Sequence, residues 1–199
     1  MYAGHLDLMR PLVWEVPDFG SAEECTGILA RFREGPWLDA TVNSAEGRIR
    51  ASSIRDNTVA LVRDEALADD LAARLKPHVP ETMCVEHPKH GRVVWRFEGL
   101  YAPLRIYRYE PGQQFALHND QSYERDEACR SLLTFMLYLN DDFVGGTTSF
   151  PEQGRDIVPR TGNALFFQHA ILHSGARVEK GTKLVLRSDV LYRMSARGA

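Results

Sequence analysis

The feature that most constrains the fold is a rhythm of short apolar stretches cut by turn residues through the second half of the chain. From Val93 onward the texture is that of β-structure. Leu104-Arg-Ile-Tyr-Arg-Tyr109 alternates apolar and polar residues, and Pro111-Gly112 follows as a turn. Residues 132–139 form an apolar run that stops at Asn140-Asp141-Asp142. Gly145-Gly146 breaks the chain before residues 147–150, Pro159 to Gly162 turns it before residues 164–167, and residues 183–192 read as the last strand. Short strands at this spacing predict a sandwich, barrel or jelly roll. No βαβ alternation is present, which argues against a doubly wound parallel sheet.

The first half is mixed. Ser21, with Glu24 three residues on, makes a capping box, so a helix is expected through about Arg33, stopped by Gly35-Pro36. Asp64 or Glu65 opens a second helical stretch over residues 66–75, with Leu67, Leu71 and Leu75 on one face and Pro77 and Pro80 beyond its end. The expectation is one α+β, mainly β domain over residues 1–199, with a helix-rich part at 1–92 and a β core at 93–199. A chain of 199 residues can bury such a core without disulfides or a structural metal. A net charge of −3 gives no strong field toward nucleic acid or a membrane surface. The three cysteines, Cys25, Cys84 and Cys129, form no CxxC pair, so neither a disulfide framework nor a thiolate zinc site is suggested. No run approaches the roughly 18 apolar residues of a membrane span. The first residues are broken by Gly4, His5, Asp7 and Arg10 and lack a signal core. A reducing, cytoplasmic setting is therefore expected.

Chemistry concentrates around His118-Asn119-Asp120. Residues two apart in a strand point to the same face, so this imidazole and carboxylate can reach one metal ion. Alone, H-x-D is a weak signal that fits a polar strand end equally well. His173 is the candidate third ligand, with a solvent-facing loop position as its plain alternative; His169 is the rival, four residues earlier. Two histidines and one carboxylate on one face of an octahedron leave three positions open, the arrangement that suits non-haem Fe(II) oxygenases. Lys183 stands ten residues after His173. A 2-oxo acid that chelates iron through its keto-acid end needs a fixed cation at its far carboxylate, and a charge-assisted hydrogen bond there contributes roughly 1.5–3 kcal/mol. Lys183, Val185, Arg187 and Asp189 share a face in a regular strand; charges in so apolar a stretch call for partners, unless the strand is a solvent-facing edge.

These residues resemble the prolyl 4-hydroxylase-like branch of the Fe(II)/2-oxoglutarate-dependent dioxygenases. The resemblance spans about residues 105–192. It rests on Tyr107-Arg-Tyr-Glu-Pro-Gly112, Phe115, His118-x-Asp120, Leu133-Thr-Phe-Met-Leu-Tyr-Leu-Asn140, Gly145-Gly-Thr-Thr-Ser-Phe150, Val158-Pro-Arg-Thr-Gly162, Ala164-Leu-Phe-Phe167 and His173-x9-Lys183. It implies a double-stranded β-helix (jelly roll) with N-terminal helices packed on one sheet. It implies His118, Asp120 and His173 as catalytic iron ligands, and Lys183 as partner of the far 2-oxoglutarate carboxylate. Tyr138 matches a position that assists that carboxylate, and Tyr109 a tyrosine lining the cosubstrate pocket; core packing with a satisfied hydroxyl is the alternative for both. Arg187 stands open between several roles: replacing Lys183 as the anchor; nearer the iron, pairing with Asp120, with the keto-acid end of 2-oxoglutarate or with a carboxylate on the substrate; or a structural pair with Asp189 or another acid.

The implied activity is hydroxylation of an unactivated C–H bond with release of succinate and CO2. The implied cofactors are Fe(II), 2-oxoglutarate and O2, with ascorbate as an accessory. The substrate is open between a small molecule, a free amino acid and a prolyl or other peptidyl side chain, with a slight lean to a small molecule or an exposed protein side chain. The polar segment Gln121 to Arg130 is expected as a loop at the mouth, either a lid or a solvated turn, and Arg48, Arg50, Arg55 and Asn57 could frame the same mouth. Two other classes stay in view: a cupin-like metal enzyme that does not use 2-oxoglutarate, and a silent metal-binding sensor domain. A nucleic-acid demethylase is weaker, because Lys and Arg are not clustered and no basic excess exists. No nucleic-acid or membrane partner is expected, and oligomeric state is not legible.

Overall fold

The computed structural model describes residues 5–32, 36–44, 47–51 and 53–195. Its elements run β1 (Val13–Val16), α1 (Ala22–Arg31), β2 (Leu38–Asp39), β3 (Val42–Ser44), β4 (Gly47–Ile49), β5 (Thr58–Arg63), α2 (Glu65–Leu75), β6 (Thr82–His87), β7 (Gly91–Leu100) and β8 (Pro103–Tyr109). They continue with β9 (Phe115–His118), β10 (Glu124–Asp126), β11 (Cys129–Tyr138), β12 (Val144–Gly145), β13 (Thr148–Phe150), β14 (Arg155–Ile157), β15 (Ala164–Gln168), β16 (His173–Gly175), β17 (Val178–Lys180) and β18 (Lys183–Met194). A ten-stranded major sheet has the order β1-β15-β11-β18-β8-β5-β2, with β10 beside β11 and the β6–β7 hairpin joined to β18. A four-stranded minor sheet runs β14-β13-β16-β9. All pairings are antiparallel. The architecture is the expected double-stranded β-helix.

Alternation along the long strands divides two cores. On β11, β15 and β18 the residues Phe135, Leu137, Phe166, Leu186 and Val190 face the helices, where they meet Cys25, Ile28, Leu67, Leu71 and Leu75. The opposite parity, with Tyr138, Leu165, Phe167 and Val185, meets Phe150 and Ile157 of the minor sheet. Each fully buried leucine of the α2 stripe contributes on the order of 1.5–3 kcal/mol. Both helices start where side chains satisfy their first N–H groups: Ser21 and Glu24 exchange bonds at α1, and Asp64 accepts from Leu67 N at 2.9 Å at α2. α1 ends at Arg31 with Phe32 as its C-cap; Arg33 and Gly35 lie outside the described residues.

Three features differ from the reading of the sequence. Residues 1–92 contribute strands as well as helices, since β1 pairs with β15 and β5 with β8. Residues 121–130 are only partly a loop: 121–123 are irregular, then β10 and the start of β11 form a short hairpin about a turn at 127–128, with Glu124 opposite Arg130 and Glu124, Arg125 and Asp126 exposed as in a solvated turn. β18 is no edge strand, for β11 lies on one side of it and β8 and β7 on the other.

Candidate metal centre

The turn between β15 and β16 and the end of β9 bring three predicted ligands together. β16 pairs with β9 so that His173 lies directly opposite His118. Asp120 falls beyond the end of β9, so strand parity alone does not aim it. A backbone bond from Asp120 N to His169 O, 3.0 Å, fixes its position instead. One ligand atom from each of His118, Asp120 and His173 lies within 4.8 Å of the others. His118 Nε2 is 3.7 Å from Asp120 Oδ1, and His173 Nε2 is 3.9 Å from Asp120 Oδ2.

The two rings are prepared in the same way. His118 Nδ1 contacts Ala116 O at 2.8 Å, and His173 Nδ1 contacts Ile171 O at 3.1 Å. A carbonyl can only accept, so Nδ1 carries the proton in both and each Nε2 turns a lone pair toward Asp120. Burial lowers both imidazole pKa values, that of His118 to about 4 with His173 adding to the effect, so both rings are neutral at pH 7. Asp120 is the reverse. Burial opposes its charge, but the Arg187 guanidinium and the nearby histidines hold its carboxyl well below the usual range. Two neutral imidazoles and one anion form a donor set that fits ferrous iron.

Asp120 is itself held from behind. Arg187 Nη2 lies 2.9 Å from Asp120 Oδ2 and 3.1 Å from Asp189 Oδ1. Thr134 Oγ1 donates to Asp120 Oδ2 at 2.5 Å. Because that hydroxyl spends its proton on a carboxylate, it accepts from His169 Nδ1, 2.9 Å away. His169 Nε2 then accepts from Ser131 Oγ at 2.8 Å. His169, the rival ligand, is thus occupied on both nitrogens, with burial lowering its pKa to about 4.

The cluster opens into a cavity of about 460 Å³ lined by residues of both sheets. The major sheet supplies one face through Tyr107 and two cross-strand pairs, Lys183 opposite Tyr109 and Arg187 opposite Arg105. Lys183 is only 3% exposed, and among the described residues no Asp or Glu pairs with it. Its Nζ donates to Gly146 O and lies 5.7 and 5.5 Å from the ring centroids of Tyr109 and Tyr138. Burial lowers its pKa to about 7. Gly146 makes this close approach possible: its φ is +68°, and a Cβ there would stand 3.1 Å from Lys183 Cδ. Burial keeps the phenols of Tyr109 and Tyr138 protonated, and Tyr138 Oη bonds Thr148 Oγ1 at 2.9 Å.

The residues singled out for iron and the cosubstrate therefore stand within one region, and Arg187, which lines the cavity, is paired there with Asp120 and Asp189. Sequence reasoning gave no role to Thr134, Arg105 or Tyr107. Parity offered a signal for each, since 105 and 107 share a strand face with Tyr109, and Thr134 with Tyr138. The side chain of Arg48 lies outside what the structure describes. Arg50 pairs with Asp39 at the surface, while Arg55 lines the cavity and Asn57 is buried behind it, bonded to Arg55 Nε.

Comparison with known proteins agrees with the geometry. The family model of the 2OG-Fe(II) oxygenase superfamily matches residues 104–188. A protein of Acanthamoeba polyphaga mimivirus named "Putative prolyl 4-hydroxylase" is 30% identical over 100 residues, 41% of each chain. Prolyl 4-hydroxylase 13 of Arabidopsis thaliana is 25% identical over 208 residues, covering 88% of this chain and 69% of its own. The crystal structure of the viral collagen prolyl hydroxylase from Paramecium bursaria Chlorella virus-1, a 2OG complex, superposes with a TM-score of 0.60 at 19% identity, over 93% of this chain and 98% of that one. These matches support the 2OG-Fe(II) oxygenase superfamily, whose family model covers the β core from residue 104 to residue 188. The relatives support its prolyl 4-hydroxylase-like branch, with Fe(II) and 2-oxoglutarate as the cofactors. The cupin-like and silent-sensor alternatives are not favoured. No helix among the described residues is long and apolar enough to cross a membrane.

Proposed function

We propose that this chain hydroxylates an unactivated C–H bond, with iron held by His118, Asp120 and His173 and the far carboxylate of 2-oxoglutarate held by Lys183. The observation that carries the reading is the convergence of three ligand atoms within 4.8 Å beside a buried lysine that no acid among the described residues neutralises. Iron with 2-oxoglutarate and O2 supplies the oxidising power, the oxo acid leaving as succinate and CO2, with ascorbate as an accessory reductant. The residues do the rest. His118 and His173 present Nε2 because their own backbones hold Nδ1. Thr134 and Arg187 keep Asp120 ionised and fix its orientation.

Lys183 is a better anchor than Arg187, because Arg187 already spends its charge on Asp120 and Asp189. Tyr109 and Tyr138 flank Lys183 and exclude water from it. The cavity reaches the surface beside Leu117, which is 51% exposed, so the substrate enters there. A prolyl ring is one candidate, from the names of the relatives; a free amino acid or other small molecule is the other. The free thiols of Cys25, Cys84 and Cys129 suit a reducing cytoplasm, which a fractionation of the native host would check.

The test is direct. Anaerobic Fe(II) and 2-oxoglutarate should give a charge-transfer absorbance that neither gives alone, and O2 should then release succinate. If the protein binds both and never turns over 2-oxoglutarate against a panel of amino acids and prolyl peptides, the reading fails.

A further inference from the structure

Among the described residues four cationic side chains line the cavity, Arg55, Arg105, Lys183 and Arg187, against a single carboxylate, Asp120. Asp189 behind the wall pairs with Arg105 and Arg187. Lys183 has its task in the reading above. Arg55 is left: among the described residues no Asp or Glu pairs with it, and its Nη2 is shut off from water without a hydrogen-bond acceptor. An arginine kept in that state is costly, because a desolvated guanidinium wants an anion.

Arg55 is nevertheless held firmly in place. Its Nε donates to Asn57 Oδ1 at 2.7 Å, and Asn57 is itself buried, with Nδ2 bonded to Thr58 O. The guanidinium lies 4.3 Å from the Tyr107 ring centroid and 4.6 Å from that of Phe115. The Phe115 ring stacks on His118 at 3.5 Å, so the free charge stands one ring away from the proposed iron ligands. The backbone is sewn to the same strand, with Arg55 bridging Phe115 and Ala116 N donating to Ile54 O at 2.7 Å. Burial would raise the Tyr107 phenol, yet Arg187, Arg55 and Arg105 together bring it down to about 8. An oxyanion at this spot would meet the same three guanidiniums.

We propose that Arg55, with Arg105 and the Tyr107 hydroxyl beside it, binds a carboxylate of the prime substrate, so that the substrate is a small free carboxylic acid and not an internal residue of a polypeptide. A guanidinium fork matches a carboxylate in two parallel bonds, and the site lies at the length of a small molecule from His118. This proposal rests on the assignment of iron and 2-oxoglutarate given above.

The test is a binding measurement that needs no turnover. Protein saturated with Mn(II) and N-oxalylglycine, an unreactive stand-in for 2-oxoglutarate, is titrated calorimetrically with free amino acids including L-proline, with their carboxamides, and with prolyl peptides blocked at both ends. At least one free acid should bind, with its carboxamide weaker by about tenfold or more. Arg55→Gln should erase the difference within the pair, and Arg55→Lys should keep part of it, which separates loss of charge from loss of fold. The proposal is overturned if no free acid binds, if acid and carboxamide bind alike, if blocked peptides bind, or if Arg55→Gln weakens N-oxalylglycine instead. Failure to bind Mn(II) or N-oxalylglycine would instead sink the underlying assignment, and the acid and carboxamide pairs would then be compared on the metal-free protein.

Discussion

The two sheets build the site in opposite ways. The minor sheet brings neutral groups, His118 and His173, on strands of four and three residues, each ring fixed by a carbonyl two residues before it. The major sheet brings charge, Lys183 and Arg187 on a twelve-residue strand, fixed by neighbours far away in the chain. Local tethers aim a lone pair; a long paired strand spaces charges. A metal site needs the first and a diacid needs the second, and the cavity lies where the two meet.

The largest effect should come from breaking the minor-sheet side. His118→Ala, Asp120→Ala or His173→Ala should each lower iron-dependent succinate formation by more than about a hundredfold, since even supporting residues of metal sites commonly cost 10–100-fold. Full turnover in any of the three variants removes that residue from the ligand set.

On the major sheet, Lys183→Ala should leave Mn(II) binding intact and raise the 2-oxoglutarate requirement by roughly tenfold to a hundredfold, the loss of one charge-assisted bond. An unchanged requirement would move the anchor to Arg187. The same side predicts a pH dependence. Lys183 holds its proton below about 7 and a carboxylate needs it protonated, so affinity for 2-oxoglutarate should weaken as pH rises from 7 to 9. A flat calorimetric profile over that range counts against it.

Thr134→Val joins the two sides and should act more mildly. It removes the bond to Asp120 and leaves His169 Nδ1 without its acceptor. Mn(II) affinity should fall about tenfold. An affinity equal to wild type would show that Arg187 alone suffices to hold Asp120. The smallest change is remote from both sheets' functional faces. Ser21→Ala breaks the capping box of α1 and should cost about 1 kcal/mol in chemical denaturation, with the Mn(II) affinity unaltered.

The same contrast explains what the sequence made legible. Long strands announce themselves: β8, β11, β15 and β18 all fall where alternation or apolar runs place them, and parity along β18 correctly put Lys183 and Arg187 on one face. Short strands carry little pattern, so β1 and β5 were hidden among helical signals, and the exposed, charged β10 resembled a loop. At the site, His118 and Asp120 were visible as a pair, but the reason for their convergence was not, because Asp120 lies past the strand end and is aimed by a backbone bond to His169. The partners that tune it, Thr134 and Arg187, are set by register between β11 and β18, where Thr134 stands opposite Asp189 and Met136 opposite Arg187. Arg55 belongs to a segment tied to β9 by a single bridge, a link with no periodic trace in the chain.

β18 also acts as a measuring rod. Lys183 and Arg187 are four residues apart on one continuous strand, which at about 3.3 Å per residue sets their Cα atoms roughly 13 Å from each other. No loop intervenes to absorb a longer or shorter guest, because both flanking strands are locked to the rod in register. An oxo-diacid one methylene longer than 2-oxoglutarate must therefore buckle, or push on Lys183 and the Gly146 turn, and the enzyme should reject it on length before any question of charge arises.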